Sequence, residues 1–292
     1  MSDEYKQPML SPTSIIMWLG CPRQFYYKYV LKMPVPANIH MVKGNIVHNT
    51  LETFFKGEPQ ENLDLHMEVL FNKTLEKMKN ELEDLKLDEE VIKKEVQDCR
   101  NMLDMFLRTF KVKMDYLVWA NKANNFAHAF HLLKPKFREM WIENKDFNLC
   151  GYIDRVYTDW NGVVTIGDYK TSYKYGIGIK DEQEIQCALY ALLFYLKQNE
   201  IPDYTSIIFI RFGEEVRTRV TPDQIKMITG IVKEVNSKTK TDNPDDYPLN
   251  EGKQCKFCSF FDKCSGLDKE KDNIRVNNLK EQILKRKEEL AE

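Results

Sequence analysis

Residues Gly151 to Lys170 constrain the fold more than any other stretch of this chain. They read Gly-Tyr-Ile-Asp-Arg-Val, reach a turn at Asn161-Gly162, and continue Val-Val-Thr-Ile-Gly-Asp-Tyr-Lys. Two strand-like runs on either side of Asn-Gly make a hairpin. The first run carries Asp154, the second carries Asp168, and Lys170 follows two residues later. Residues i and i+2 of a strand share a face, so Asp168 and Lys170 point together. Two carboxylates and an amine converging from one hairpin suit metal-assisted phosphodiester cleavage. The carboxylates hold a divalent cation, and the lysine steadies a water or the developing negative charge. The plainer alternative is a pair of turn-flanking surface aspartates, with Lys170 a salt-bridge partner. That is weak for Asp168, which follows the apolar run 163–167 and is expected to be partly buried. A buried carboxylate without compensation is costly, and a cation or Lys170 supplies it.

The rest of the chain reads as helices packed on a sheet. Ser11-Pro12-Thr13-Ser14 is a helix start, and Cys21-Pro22 interrupts that helix. Residues 44–55 form an amphipathic helix with Ile46, Val47, Thr50, Leu51 and Phe54 on one broad face and His48 close to it. Residues 62–120 lack glycine and proline and read as two or three helices, a lobe inserted ahead of the sheet. Residues 136–142, 147–157 and 163–170 form a three-strand meander. Glu139 and Glu143 lie on its first strand or just beyond, where either would assist the site or the fold. A helix over 182–196 comes next, then a hairpin of 206–212 and 215–220 about Gly213-Glu214, then a helix capped by Thr221-Pro222-Asp223. This order defines an α/β protein with helices on a sheet. Its expected divisions are 1–60, N-terminal helices; 61–134, a helical insertion; 135–240, the core; 241–266, a cysteine segment; and 267–292, a charged helical tail.

The net charge is −2 over 292 residues, so no global electrostatic signature of nucleic-acid binding is present. A local basic groove is enough for such a substrate. Arg23, Lys28 and Lys32 interleave with Phe25, Tyr26, Tyr27 and Tyr29, and Lys253, Lys256 and Lys263 surround the cysteines. These read either as a strand-binding funnel whose aromatics stack on bases or as core aromatics beside solvated lysines. No apolar run reaches the ~20 residues of a membrane span. The polar, acidic start has no signal-peptide core, which implies a cytoplasmic, membrane-free protein.

Seven cysteines in such a chain point to metal rather than disulfides. Cys255-x2-Cys258-x5-Cys264 puts three thiolates in one short loop and needs a fourth ligand from elsewhere. Four thiolates suit zinc or a [4Fe–4S] cluster, and spacing alone does not choose between them. Cys99, Cys150 and Cys187 fall in helical or strand patterns and read as packed residues.

The Asp154…Asp168-x-Lys170 arrangement resembles the PD-(D/E)XK nuclease superfamily. With Gly44-Asn-Ile-Val-His48, Gln186-x3-Tyr190, and Cys21 far from the other three cysteines, it is similar to the RecB/AddB-like exonuclease branch. That branch includes CRISPR-associated RecB-like exonucleases with an iron–sulfur cluster. The resemblance covers roughly residues 11–264. It implies a restriction-endonuclease-like core, a mixed central sheet flanked by helices, with a helical insertion and a C-terminal cysteine cluster. It implies Mg²⁺ or Mn²⁺ on His48, Asp154, Asp168 and the Tyr169 carbonyl. Lys170 is then catalytic, with Gln186 and Tyr190 lining the site from one helix face and Thr171 near phosphate. It makes Cys21 the fourth cluster ligand and favours [4Fe–4S] over structural Zn²⁺. It further implies a DNA exonuclease acting on single strands or strand ends in repair, recombination or CRISPR-type processing. No Gly-x4-Gly-Lys-[Ser/Thr] motif is present, so a motor would come from a helicase or recombination partner. Two rivals stay open on sequence alone. One is a partner-dependent or non-catalytic DNA-binding component of a recombination or spacer-acquisition complex. The other is a zinc-stabilised nucleic-acid-binding module.

Overall fold

A computed structural model describes residues 5–172 and 181–264. The expected tail over 267–292 lies outside the described residues. Local turn chemistry sets up the sheet. The Asp159 carboxylate accepts hydrogen bonds from the amides of Asn161 and Val163, at 2.8 and 3.1 Å, and Gly162 supplies φ +83°. That turn joins β2 (Leu149–Thr158) to β3 (Val164–Lys170), as the Asn-Gly pair predicts. β1 (Phe137–Asn144) pairs antiparallel with β2. β4 (Tyr204–Phe209) lies parallel to β3, and β5 (Glu214–Arg219) returns antiparallel to β4 around Gly213. The strand order is β1-β2-β3-β4-β5, a mixed sheet with β3 at its centre. A parallel pair needs a crossover, and α8 (Asp181–Gln198) lies in the connection from β3 to β4. β3 is buried from Thr165 to Tyr169, as expected of a central strand covered on both faces.

Two helical layers cover the sheet. On one side α1 (Pro12–Gly20), the short α2 (Pro22–Phe25), α8 and α9 (Pro222–Lys238) pack with Leu149, Ile153, Val156 and Ile166. α1 and α9 each open with a capping box and a proline in the first turn. On the other side lie α3 (Ile39–Phe54), α4 (Leu63–Lys77), α5 (Lys79–Asp84), α6 (Glu89–Trp119) and α7 (Phe126–Leu133). Their core reaches the sheet at Tyr169, Ile208 and Ile210. α6 buries Cys99, Met102, Leu103, Phe106, Phe110, Met114 and Leu117, the helical stripe that a lobe against a sheet requires.

Cys21 stands between α1 and α2 in extended conformation, and Tyr26–Val30 continues α2 as a π-helical turn. Phe25, Tyr26 and Tyr27 are buried in the layer with α8 and α9, and the buried Arg23 donates from Nε to the Tyr247 carbonyl at 2.7 Å. The alternative of a base-stacking funnel at these residues is therefore corrected. The rings of Phe25, Tyr26 and Tyr27 are core, while Tyr29 is half-buried beside Lys28. No helix among the described residues is long and apolar enough to cross a membrane.

Gly151 is where α1 and α8 close on β2. A Cβ there would stand 2.9 Å from Leu193 Cδ1 and 3.2 Å from Pro12 Cδ. Gly151→Ala gains less than about 1 kcal/mol from a stiffer unfolded chain. Overpacking costs about 1–3 kcal/mol, so net destabilisation is expected in urea denaturation.

Glu215 ties the edge strand β5 to the rest. It accepts from the Tyr157 hydroxyl at 2.7 Å and from Lys113 of α6 at 3.1 Å. Burial pushes its carboxyl up, but Arg155, Lys113 and Tyr157 together outweigh that and hold it down at about 2, against an ordinary 4.5. A depressed folded value means the stabilisation is complete above pH 4.5 and is lost as pH falls toward 2. Denaturation as a function of pH is expected to show the wild type ahead of Glu215→Gln by up to about 3 kcal/mol at neutrality. That lead narrows across this acid window.

Candidate active site

The site forms where β2 and β3 part. Their pairing runs from Thr158–Val164 to Arg155–Gly167. At the next step the Asp154 carboxylate takes the place of a strand and accepts the Tyr169 N–H at 2.8 Å. The Tyr169 carbonyl is met by His48 Nε2 of α3 at 3.1 Å. His48 Nδ1 lies 3.4 Å from Asp154 Oδ2 and 3.9 Å from Glu139 Oε1. Ligand atoms of His48, Glu139 and Asp154 all lie within 4.8 Å of one another.

Glu139 sits mid-strand in β1, across from Asp154 in a register that pairs Arg138 with Arg155 and Met140 with Ile153. Its φ is +44°, a left-handed conformation that costs a non-glycine residue about 1–3 kcal/mol and gathers at functional sites.

On the α8 side the i, i+2 expectation holds. Asp168 is 5% exposed, and Lys170 Nζ stands 2.7 Å from its Oδ2. The ion pair compensates the charge of the buried Asp168 carboxylate. Lys170 also donates to Gln186 Oε1 at 2.8 Å, and Gln186 Nε2 donates to the Tyr190 hydroxyl at 3.1 Å. Gln186 and Tyr190 thus meet Lys170 from one face of α8.

The electrostatics show excess negative charge. Burial, then the charge of Asp168, pushes the Asp154 carboxyl up. Burial pulls the His48 imidazole down, but the nearby carboxylates of Glu139, Asp154 and Asp168 raise it overall. Burial, then Asp168 and Asp154, raises the Tyr190 phenol. A divalent cation fits such a place. It meets hard oxygen donors and one imidazole and relieves carboxylate repulsion. The tightest group contains Glu139 where the sequence reading has Asp168, and Asp168 stands beside it, paired with Lys170. Glu139 becomes legible once the β1–β2 register places it across from Asp154. Glu143 is exposed, farther out on β1.

A buried ionic network that sequence reasoning missed holds the site from behind. Lys43, one turn before His48, pairs with Glu95 and Asp98 of α6. Asp98 is held in a two-point grip by Arg211, which also donates to the Thr171 carbonyl at 3.4 Å. Gly44 packs toward the same Thr171.

Cys21, Cys255, Cys258 and Cys264 are brought together from the two ends of the chain. They line a cavity of about 190 Å³, and all four thiols are free. Four thiolates at one cavity form a donor set suited to zinc or an iron–sulfur cluster. Burial pushes the Cys258 and Cys264 thiols up, and the neighbouring Cys21 adds to it. Hydrogen bonds from the Asn250 side chain to the Gly20 carbonyl and from the Arg23 amide to the Pro248 carbonyl hold the same two segments. Cys99 and Cys187 are packed, and burial raises both thiols to about 12; Cys150 is half-buried.

This sheet, with two acids and a lysine at the parting of its central strands, is a nuclease architecture. The chain belongs to the PD-(D/E)XK nuclease superfamily, whose sequence profile matches residues 9–265. Its fold is accordingly the PD-(D/E)XK nuclease fold, a mixed five-strand sheet flanked by helices. Among solved structures it is similar to a Eubacterium rectale protein described as a "Putative exonuclease". The TM-score is 0.49 at 11% identity, over 91% of this chain and 98% of that one. No curated protein matches it in sequence.

If the acidic cluster takes a cation, Mn²⁺ raises the thermal midpoint. The gain is about 2.7 kcal/mol at a hundredfold excess over Kd. Calorimetry of Asp154→Asn and His48→Ala is expected to show that metal-dependent shift reduced or lost, whatever the metal-free midpoints.

Proposed function

We propose that the protein is a metal-dependent DNA exonuclease of the RecB/AddB-like branch, acting on single strands or strand ends in repair, recombination or CRISPR-type processing. The observation that carries this reading is the placement of Lys170. Its ammonium is held between Asp168 and Gln186 at the end of β3, and the charge of Asp168 acts on both His48 and Asp154. Mg²⁺ or Mn²⁺ would be held by His48, Asp154 and the Tyr169 carbonyl, with Glu139 and Asp168 completing the set. Such a cation supplies Lewis acidity to the phosphate and a lowered pKa to water.

The chain's own residues do the rest. Lys170 presents its charge to the non-bridging oxygens as negative charge grows on phosphorus, and Gln186 and Asp168 keep its amine from swinging away. Tyr190, through Gln186, fixes the amide so that its oxygen faces Lys170. The Tyr169 N–H holds Asp154 in one orientation. Water oxygen bonds to phosphorus and gives up one proton to solvent, the phosphorus–oxygen bond to the leaving nucleoside breaks, and that oxygen takes a proton back from solvent.

The four cysteines are read as ligands of a [4Fe–4S] cluster that clips the chain ends around the nuclease core. The convergence of all four cysteines on one cavity supports a shared metal group, and the family resemblance favours iron–sulfur over zinc.

The test is degradation of end-labelled single- and double-stranded DNA by anaerobically purified protein with Mn²⁺, Mg²⁺ or EDTA. Metal-dependent loss of label is expected, abolished in Asp168→Ala and Lys170→Ala. Brown protein with about four irons per chain is expected from the same preparation. A folded, cluster-loaded protein that leaves every DNA intact would overturn the reading.

A further inference from the structure

The face that carries Glu139 and Asp154 continues along the β1–β2 hairpin as an open aromatic surface. In β2, Leu149, Gly151 and Ile153 are buried. Alternation therefore turns Tyr152 to the face of Asp154. Trp141 stands two residues from Glu139, and the register pairs Trp141 with Tyr152. Their ring centroids are 4.7 Å apart at an interplanar angle of 50°. Both are open to solvent, Trp141 at 45% and Tyr152 at 54%. The core of the α3–α7 layer takes its sheet residues from Tyr169, Ile208 and Ile210 and includes none from β1 or β2.

Two residues of strand separate this pair from the acidic cluster, ~7 Å. Stacked nucleotides advance ~3.4 Å per step, so one to two nucleotides bridge that distance. Aromatic faces accept any base, whereas the exposed Glu143 next along β1 disfavours phosphate there. A hairpin-stabilising role alone accounts for pairing but is worth only ~0.2–1 kcal/mol, and it does not require the rings to lie in line with the cluster.

We propose that Trp141 and Tyr152 form a stacking platform for an unpaired base of the substrate strand, one to two nucleotides from the phosphate at the His48–Glu139–Asp154 cluster. The proposal rests on the nuclease reading and deepens it. A base inside a duplex has no free face to offer, so the platform selects single strands or frayed ends.

The test is fluorescence anisotropy of a labelled single-stranded oligonucleotide with the full chain in Ca²⁺ or EDTA, beside an oligonucleotide whose bases are replaced by abasic sites. Trp141→Ala and Tyr152→Ala are expected to weaken binding of the intact strand about tenfold. They should leave the abasic strand nearly unchanged, and Trp141→Phe should restore binding. Equal affinity in all variants, or equal losses on intact and abasic strands, would overturn the platform. Cleavage with Mn²⁺ is scored in the same preparations. Wild type that binds through Trp141 but never cuts sinks the nuclease reading and leaves the platform. Wild type that cuts while the variants bind normally sinks the platform alone.

Discussion

One main-chain residue, Tyr169, organises the site. Its N–H and its carbonyl both face the side on which β2 would pair. Each is taken by a side chain instead, the N–H by Asp154 and the carbonyl by His48. A central strand cannot leave such groups unmet, because an unpaired buried amide or carbonyl costs as much as a lost hydrogen bond. The parting of two strands therefore creates a demand for polar side chains at one point. An acid from β2 and an imidazole from α3 satisfy it. The same parting ends the β2–β3 ladder, while the α8 face of β3 stays covered and keeps Lys170 in place.

The helices on the far side of the sheet belong to this arrangement. His48 is only as well placed as α3, and α3 is fastened by Lys43 to two acids of α6. Through Arg211, Asp98 of that pair also reaches the carbonyl of Thr171, next to Lys170. A buried ion pair contributes little net stability over an apolar substitute, but breaking one is expensive. Its value here is geometric. It sets the distance between the helix that brings the imidazole and the strand that brings the lysine.

Much of this was legible in the sequence because it rests on local rules. The Asn161-Gly162 turn, the i, i+2 alternation of Asp168 and Lys170, the i, i+4 pairing of Gln186 and Tyr190, and the caps at Ser11 and Thr221 each need only a few neighbouring residues. The strands and helices run a few residues longer or shorter than the pattern implies, since ends are set by tertiary contacts. What was not legible depends on register or distant pairing. Glu139 reads as an ordinary strand glutamate until β1 is laid against β2. Lys43, Asp98 and Arg211 look like surface charges until three elements meet. The aromatic run after Cys21 admits two readings by composition, and packing against Tyr247 and Phe260 decides for the core.

Glu139 carries a consequence for how this chain can change. Its left-handed backbone is one that glycine adopts without the cost a β-carbon adds. A glycine there would relax the strand and remove a carboxylate from the acidic cluster in one step. Thermodynamic fitness and ligand supply pull in opposite directions at this residue. At position 139 the backbone therefore carries a conformational cost that a glycine would relieve only by giving up a carboxylate of the acidic cluster.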